Sequence, residues 1–105
     1  MQLYYSIFKY KSIPLGVLFH EPTFVHRAFK YIPDLHKFEV LCTEIDVKIV
    51  EKLLVGIKEQ VEAAKSFNIE DFIRFYLNDF HFEEMRCEEY GDLDGTIERI
   101  VKSSL

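Results

Sequence analysis

Asp46 to Ala64 reads DVKIVEKLLVGIKEQVEAA. Val50, Leu53, Leu54, Ile57, Val61 and Ala64 recur at three- and four-residue steps, which puts them on one apolar stripe of a helix. Lys48, Glu51, Lys52, Lys58, Glu59 and Glu62 fall mostly off that stripe and can stay in water. A side-chain oxygen of Thr43 or Asp46 can cap the first turn, where backbone N–H groups lack partners. A stripe this wide has to be buried, and the strand-like run upstream is the surface available.

That run begins at Gln2 to Lys11, QLYYSIFKYK, with Tyr4, Ser6, Phe8 and Tyr10 on one face and Leu3, Tyr5, Ile7 and Lys9 on the other. Two largely apolar faces suit a central strand. Ser12-Ile13-Pro14 breaks it, because proline lacks a ladder donor. Leu15 to His20, LGVLFH, reads as a buried strand, Glu21-Pro22-Thr23 as a turn, and Phe24 to Ile32 as the returning arm of a hairpin. His36 to Thr43, HKFEVLCT, alternates Phe38, Val40 and Cys42 against Lys37, Glu39 and Leu41, which predicts a fourth strand. Four strands on short turns imply an antiparallel meander.

After the long helix, Asn68 is a helix cap with Asp71 three residues on, and Phe67 and Phe72 are placed as a hydrophobic staple. The second helix spans Ile69 to about Asp79 and presents Phe72, Phe75, Tyr76 and Phe80. His81 to Tyr90 reads as an edge strand or irregular segment and Gly91 to Gly95 as a turn. Thr96 to Ser103 forms a terminal helix with Ile97, Ile100 and Val101 inward. The expected fold is a single α+β domain over 1–105, a β meander over 1–44 and mainly helical over 45–105. An antiparallel four- to five-stranded sheet is covered on one face by one long and two shorter helices.

The chain resembles the small bacterial family called domain of unknown function 3037 over about its first sixty residues. Tyr5, Phe8 and Tyr10 stand for that family's aromatic first strand, Gly16-Val17-Leu18-Phe19 for its second, and Asp46 to Val55 for its helix. Pro14 sits where the family carries asparagine, and the charged loop before it is shortened. The resemblance implies a fold and no catalytic residues.

Composition bounds function. The 105 residues are 49% hydrophobic and 30% charged, with ten Phe, six Tyr and no Trp, the balance of a globular domain with a ring-rich core. A net charge of -5 argues against phosphate binding as the main task. It suits a protein partner with a basic face, without direct nucleic-acid contact. No apolar run approaches the ~18 residues that cross a bilayer, and the N-terminus does not read as a signal peptide. The expectation is a cytoplasmic chain with no cofactor and no membrane contact. Cys42 and Cys87 form no CxxC pattern and read as reduced thiols, Cys42 buried in a strand.

Four constellations could carry chemistry. Glu83, Glu84, Glu88, Glu89, Asp92 and Asp94 crowd into one segment with Tyr90, broken only by Arg86 among basic groups. This is either a solvated surface, a face that docks a basic groove, or a hard-oxygen cation site that lacks the rest of a calcium loop. His20 and His26, near the two ends of the hairpin turn, can face each other across strands and with Glu21 make a two-histidine, one-carboxylate metal site. Cys87 beside Arg86 can have a favoured thiolate, with the nearby glutamates opposing it. Tyr4, Tyr5, Tyr10, Tyr31, Phe24 and Tyr76 either finish a core or form an exposed ring patch, which a homodimer through a strand edge would share.

The leading expectation is a small acidic non-enzymatic protein that binds a protein partner, in one form an inhibitor of a nucleic-acid-binding enzyme of phage or mobile-element type. The alternative is a small metal-dependent enzyme or metal-binding domain using His20, His26 and Glu21.

Overall fold

The computed structural model describes residues 1–23, 26–63, 68–74, 76 and 79–105. Among them the order is β1 (Gln2–Tyr10), β2 (Ile13–Glu21), β3 (His26–Tyr31), α1 (His36–Leu41), α2 (Val47–Ala63), α3 (Ile69–Arg74), β4 (Phe80–Phe82), β5 (Arg86–Glu89) and α4 (Leu93–Ser104). The chain is α+β, with one five-stranded antiparallel sheet in the order β3-β2-β1-β4. Both β4 and β5 pair with β1, β5 along Gln2–Tyr5 and β4 along Phe8–Tyr10, so two short strands lie end to end on one edge. Glu83 N–H donates to the Ile7 carbonyl between them at 2.8 Å.

β1 is central because both its faces are apolar. Phe8 and Tyr10 enter one core with Leu18, Phe29 and the α2 residues Val50, Leu54, Ile57 and Val61. Leu3 and Ile7 enter a second core with Val17, Phe19 and the α4 residues Ile97 and Ile100. The first three helices thus lie over one face and α4 over the other, so β1 and β2 are covered on both sides. The Phe8 ring has the rings of Phe29, Tyr76, Phe80 and Phe82 around it at centroid distances of 6.1, 5.7, 6.1 and 4.7 Å. Fully burying a side chain of this size contributes about 1.5–3 kcal/mol.

Pro14 does not end the ladder. It lies inside β2 opposite Lys9, where the β1–β2 register shifts between Phe8 and Lys9, and an irregularity of that kind tolerates a residue without a donor. Lys11, in the turn between β1 and β2, has a φ of 53°. Tight hairpin turns demand such left-handed backbone, and the Lys11 ammonium reaches the Glu44 carboxylate at 3.0 Å. That contact raises the Lys11 pKa and lowers that of Glu44.

The segment expected as a fourth strand is α1. Phe38 and Cys42 are buried while Val40 and Leu41 are 68% and 70% exposed. Leu35, Phe38 and Cys42 share a helical face, whereas a strand would have turned Val40 inward with Phe38. Asp34 Oδ1 accepts the His36 N–H at 2.9 Å, and the Cys42 N–H donates to the Phe38 carbonyl at 2.8 Å. Cys42 is therefore buried at the end of a helix, not in a strand. The meander has three strands, and the part after residue 45 supplies two more.

The caps follow the sequence. Asp46 Oδ1 accepts the Lys48 N–H at 2.9 Å. Asn68 Oδ1 accepts the N–H groups of Glu70 and Asp71 at 3.0 and 3.2 Å. Ala64, Phe67 and Phe75 lie outside the described residues. α4 opens at Leu93, inside the expected turn, and keeps Ile97 and Ile100 buried.

Candidate functional site

The β2–β3 hairpin brings His20, Glu21, His26 and Arg27 to one end of the sheet. Its register sets His20 opposite Arg27 and Glu21 opposite His26. Successive strand residues point to opposite faces, so the two histidines do not face each other as the sequence reading expected. Among the described residues no three His, Cys, Asp or Glu side chains converge as a metal site. Burial, then the Arg27 charge, lowers the His20 pKa against a smaller opposing pull from Glu21.

Glu21 is fully buried. Its Oε1 accepts the Thr23 N–H at 3.0 Å, and the Tyr90 hydroxyl, which donates to Met1 Sδ at 3.4 Å, lies close enough to feel the Glu21 charge. Burial of a carboxyl group without donors costs several kcal/mol, on the order of its lost hydration, and the Thr23 N–H offsets part of that. Tyr90 responds with a raised hydroxyl pKa, from burial first and from the Glu21 charge second. The Tyr90 N–H also donates to the Met1 carbonyl at 3.0 Å. Tyr90, expected in a partner surface, is thereby tied inward, closing the hairpin end against the connection from β5 to α4.

The acidic segment divides in two. Glu83 accepts Lys9 at 2.8 Å and lies 3.8 Å from Arg86. Glu88 pairs with Arg99. Glu84, Glu89, Asp92 and Asp94 are exposed, and no ion pair among the described residues involves them. The spacing of the run hid this division, because Lys9 and Arg99 come from β1 and α4.

Cys87 is exposed, and its thiol donates to Gln2 Oε1 at 2.7 Å. A side-chain amide oxygen cannot take the proton to activate a nucleophile. Arg86, its expected activating cation, lies toward Glu83 instead. Of the aromatic residues set apart by sequence, Tyr10 is buried and Tyr4, Tyr5, Tyr31 and Tyr76 are half-buried against the two cores. Phe24 lies outside the described residues.

A larger concavity than the hairpin end offers lies elsewhere, at the edge of the sheet. A cleft of about 930 Å³ runs along the outer side of β3, between α2 and α4. Phe29, Lys30 and Tyr31 form its floor, and Asp34 stands at one end. Val47, Glu51, Val55 and Lys58 line the α2 wall at helical spacing. Asp94, Ile97, Glu98 and Val101 line the α4 wall in the same way. Such a volume is in the range of ligand-binding clefts, roughly 300–1,000 Å³. Sequence reasoning passed over it, although Val47 and Val55 were a signal: they widen the apolar stripe of α2 beyond the four residues that reach the core. Asp94 belongs to both surfaces, so the acidic band and the cleft meet at the start of α4.

No family model, curated protein or solved structure matches this chain.

Proposed function

We propose that this chain is a small non-enzymatic binding domain whose target is a protein with a basic face. The observation that carries this reading is the exposed band Glu84, Glu89, Asp92 and Asp94, left over after Glu83 and Glu88 find cations within the fold. A negative field of this kind steers and selects basic partners more than it strengthens a finished contact. Exposed charges separated by more than about 8 Å are screened at physiological salt, so binding through the band weakens as salt is added.

The test is retention of basic proteins on the immobilised full chain at low and high salt. The variant carries Glu84→Gln, Glu89→Gln and Asp92→Asn, which keep shape and remove charge. Loss of one defined partner in the variant, with its salt sensitivity, is the expected outcome. Equal retention by both chains would refute the reading. Inhibition of a nucleic-acid-binding enzyme is its narrower form, and requires that the retained partner be released by duplex DNA in competition.

A further inference from the structure

We propose that the cleft beside β3 seats a short amphipathic helix of the partner protein, about three turns long, apolar on one face and basic along its flanks. This names the binding mode of the protein-binding reading and rests on it.

The two faces of the sheet are covered unevenly. α2 reaches β3, since Phe29 shares a core with Val50, Leu54, Ile57 and Val61. On the other face the core beneath α4 holds Leu3, Ile7, Val17 and Phe19 and, among the described residues, none of β3. Lys30 pairs with Val17 and so stands on that α4 side, as does His26 four residues before it. Both are exposed. The α4 layer therefore stops at β2, and the cleft opens where a further helix of that layer would lie.

Backbone burial and size select the occupant. Ala28 and Phe29 are 6% and 1% exposed, so the middle of β3 offers no ladder to an incoming strand. What binds there is held through side chains and has to satisfy its own backbone groups, as a helix does. Val47 to Lys58 on the α2 wall spans about 16 Å at ~1.5 Å per residue, or three turns. Half of a helix that long and 10–12 Å across takes up roughly 600–900 Å³, against about 930 Å³ in the cleft. Side chains at i, i+3, i+4 and i+7 of such a helix would meet Val55 on one wall and Val101 on the other. A second copy of this chain fits worse. Its α2 and α4 already spend their apolar faces on the two cores. The exposed Val40 and Leu41 belong to α1, whose six residues are half the length of the wall.

Charge selects the flanks. The Lys58 ammonium is taken up by Glu62 at 2.6 Å. Among the described residues no ion pair involves Glu51, Asp94 or Glu98, and Lys30 is the ammonium left beside them. Three carboxylates against one ammonium favour lysine or arginine along the incoming helix.

The probes are three labelled peptides of fourteen residues, followed on the intact chain by fluorescence anisotropy and far-ultraviolet circular dichroism. The first carries leucine at i, i+3, i+4 and i+7 with lysine and glutamine elsewhere. The second replaces its lysines with glutamates, and the third keeps the first composition with the leucines scattered around the helix. The first is expected to gain helix on binding and to bind about tenfold tighter than the second, as two to three weak ion pairs allow. The third is expected not to bind. Val55→Gln, at a position 38% exposed, should weaken the first peptide several-fold while leaving the urea midpoint in place. Replacing Glu51→Lys and Glu98→Lys, both exposed, should remove the preference for lysine. Equal binding of the third peptide, binding without gain of helix, or unchanged affinity in Val55→Gln would overturn the proposal. So would a dimer of the free chain that Val55→Gln dissociates. If the peptides fail while the Glu84, Glu89 and Asp92 band still retains a basic partner, this mode falls and the protein-binding reading stands.

Discussion

Two glycine-to-alanine substitutions are expected to move stability in opposite directions. At Gly16 in β2, an added Cβ would lie 2.6 Å from the Phe29 ring and 3.0 Å from the Lys30 carbonyl oxygen. The ring has little room to retreat. Phe29 is 1% exposed, and the rings of Phe8, Tyr31 and Phe82 stand 6.1, 5.9 and 6.3 Å from it. Overpacking of this kind costs about 1–3 kcal/mol. The lower entropy of the unfolded alanine chain offsets about 0.4–1 kcal/mol. The net loss is about 1–2 kcal/mol, a fall in Tm of about 5–15 °C for a domain of this size. At Gly56 in α2 nothing lies within 4 Å of the added Cβ, and alanine in a helix interior is favoured over glycine by about 0.5–1 kcal/mol. Urea unfolding of both variants beside the parent is the assay, read as a shift of midpoint at constant slope. If Gly16→Ala leaves the midpoint unchanged or raises it, the β2–β3 register and the placement of Phe29 are wrong. If Gly56→Ala lowers it, the face of α2 that carries Gly56 is packed rather than open.

Three further outcomes are expected. The lowered His20 pKa means that the unfolded chain takes up that proton first. The stability it contributes is whole above about pH 6.5 and is lost as the pH falls from there toward the lower folded value. Urea midpoints taken across that range should slope less in His20→Gln, and identical slopes would refute the burial. Asn68→Ala removes an acceptor from two N–H groups and should cost about 1 kcal/mol in thermal melts. An unchanged Tm would show that the cap is not formed. In native buffer one thiol, Cys87, should react promptly with an aromatic disulfide reagent, while Cys42, 7% exposed, should wait for denaturant. Two equally fast thiols would contradict the burial of Cys42 at the end of α1.

Period-two and period-3.6 patterns each made part of the fold legible. The long run of QLYYSIFKYK holds only for a strand, and the stripe of α2 holds only for a helix. His36 to Leu41 defeats the method because six residues are too few to separate the two periods: Phe38 and Cys42 are four apart and share a face in either. The covering of both sheet faces was not legible either. Leu3, Ile7, Val17 and Phe19 announce a second apolar face, but which helix covers it depends on the path of the chain. Candidate sites fared unevenly for the same reason. Asn68 and Asp46 act on their own neighbours, so spacing located them. Lys9 and Arg99, the cations on Glu83 and Glu88, come from distant elements, and the cleft exists only where β3, α2 and α4 meet.

The end-to-end placement of β4 and β5 along β1 has a consequence for how the chain is made. Ser6 in β1 donates its hydroxyl to the Glu83 carbonyl across 77 positions of sequence. A nascent chain emerging from the ribosome forms the β1–β2 and β2–β3 hairpins early, since their contacts are local. It then carries β1 with one bare edge until residues 80–89 appear, and with one bare face until α4 follows. Such an edge is an aggregation hazard during synthesis. A chain cut short before residue 80 is therefore expected to be a chaperone client, because the residues that complete the edge of β1 are translated long after it, Glu83 77 positions behind Ser6.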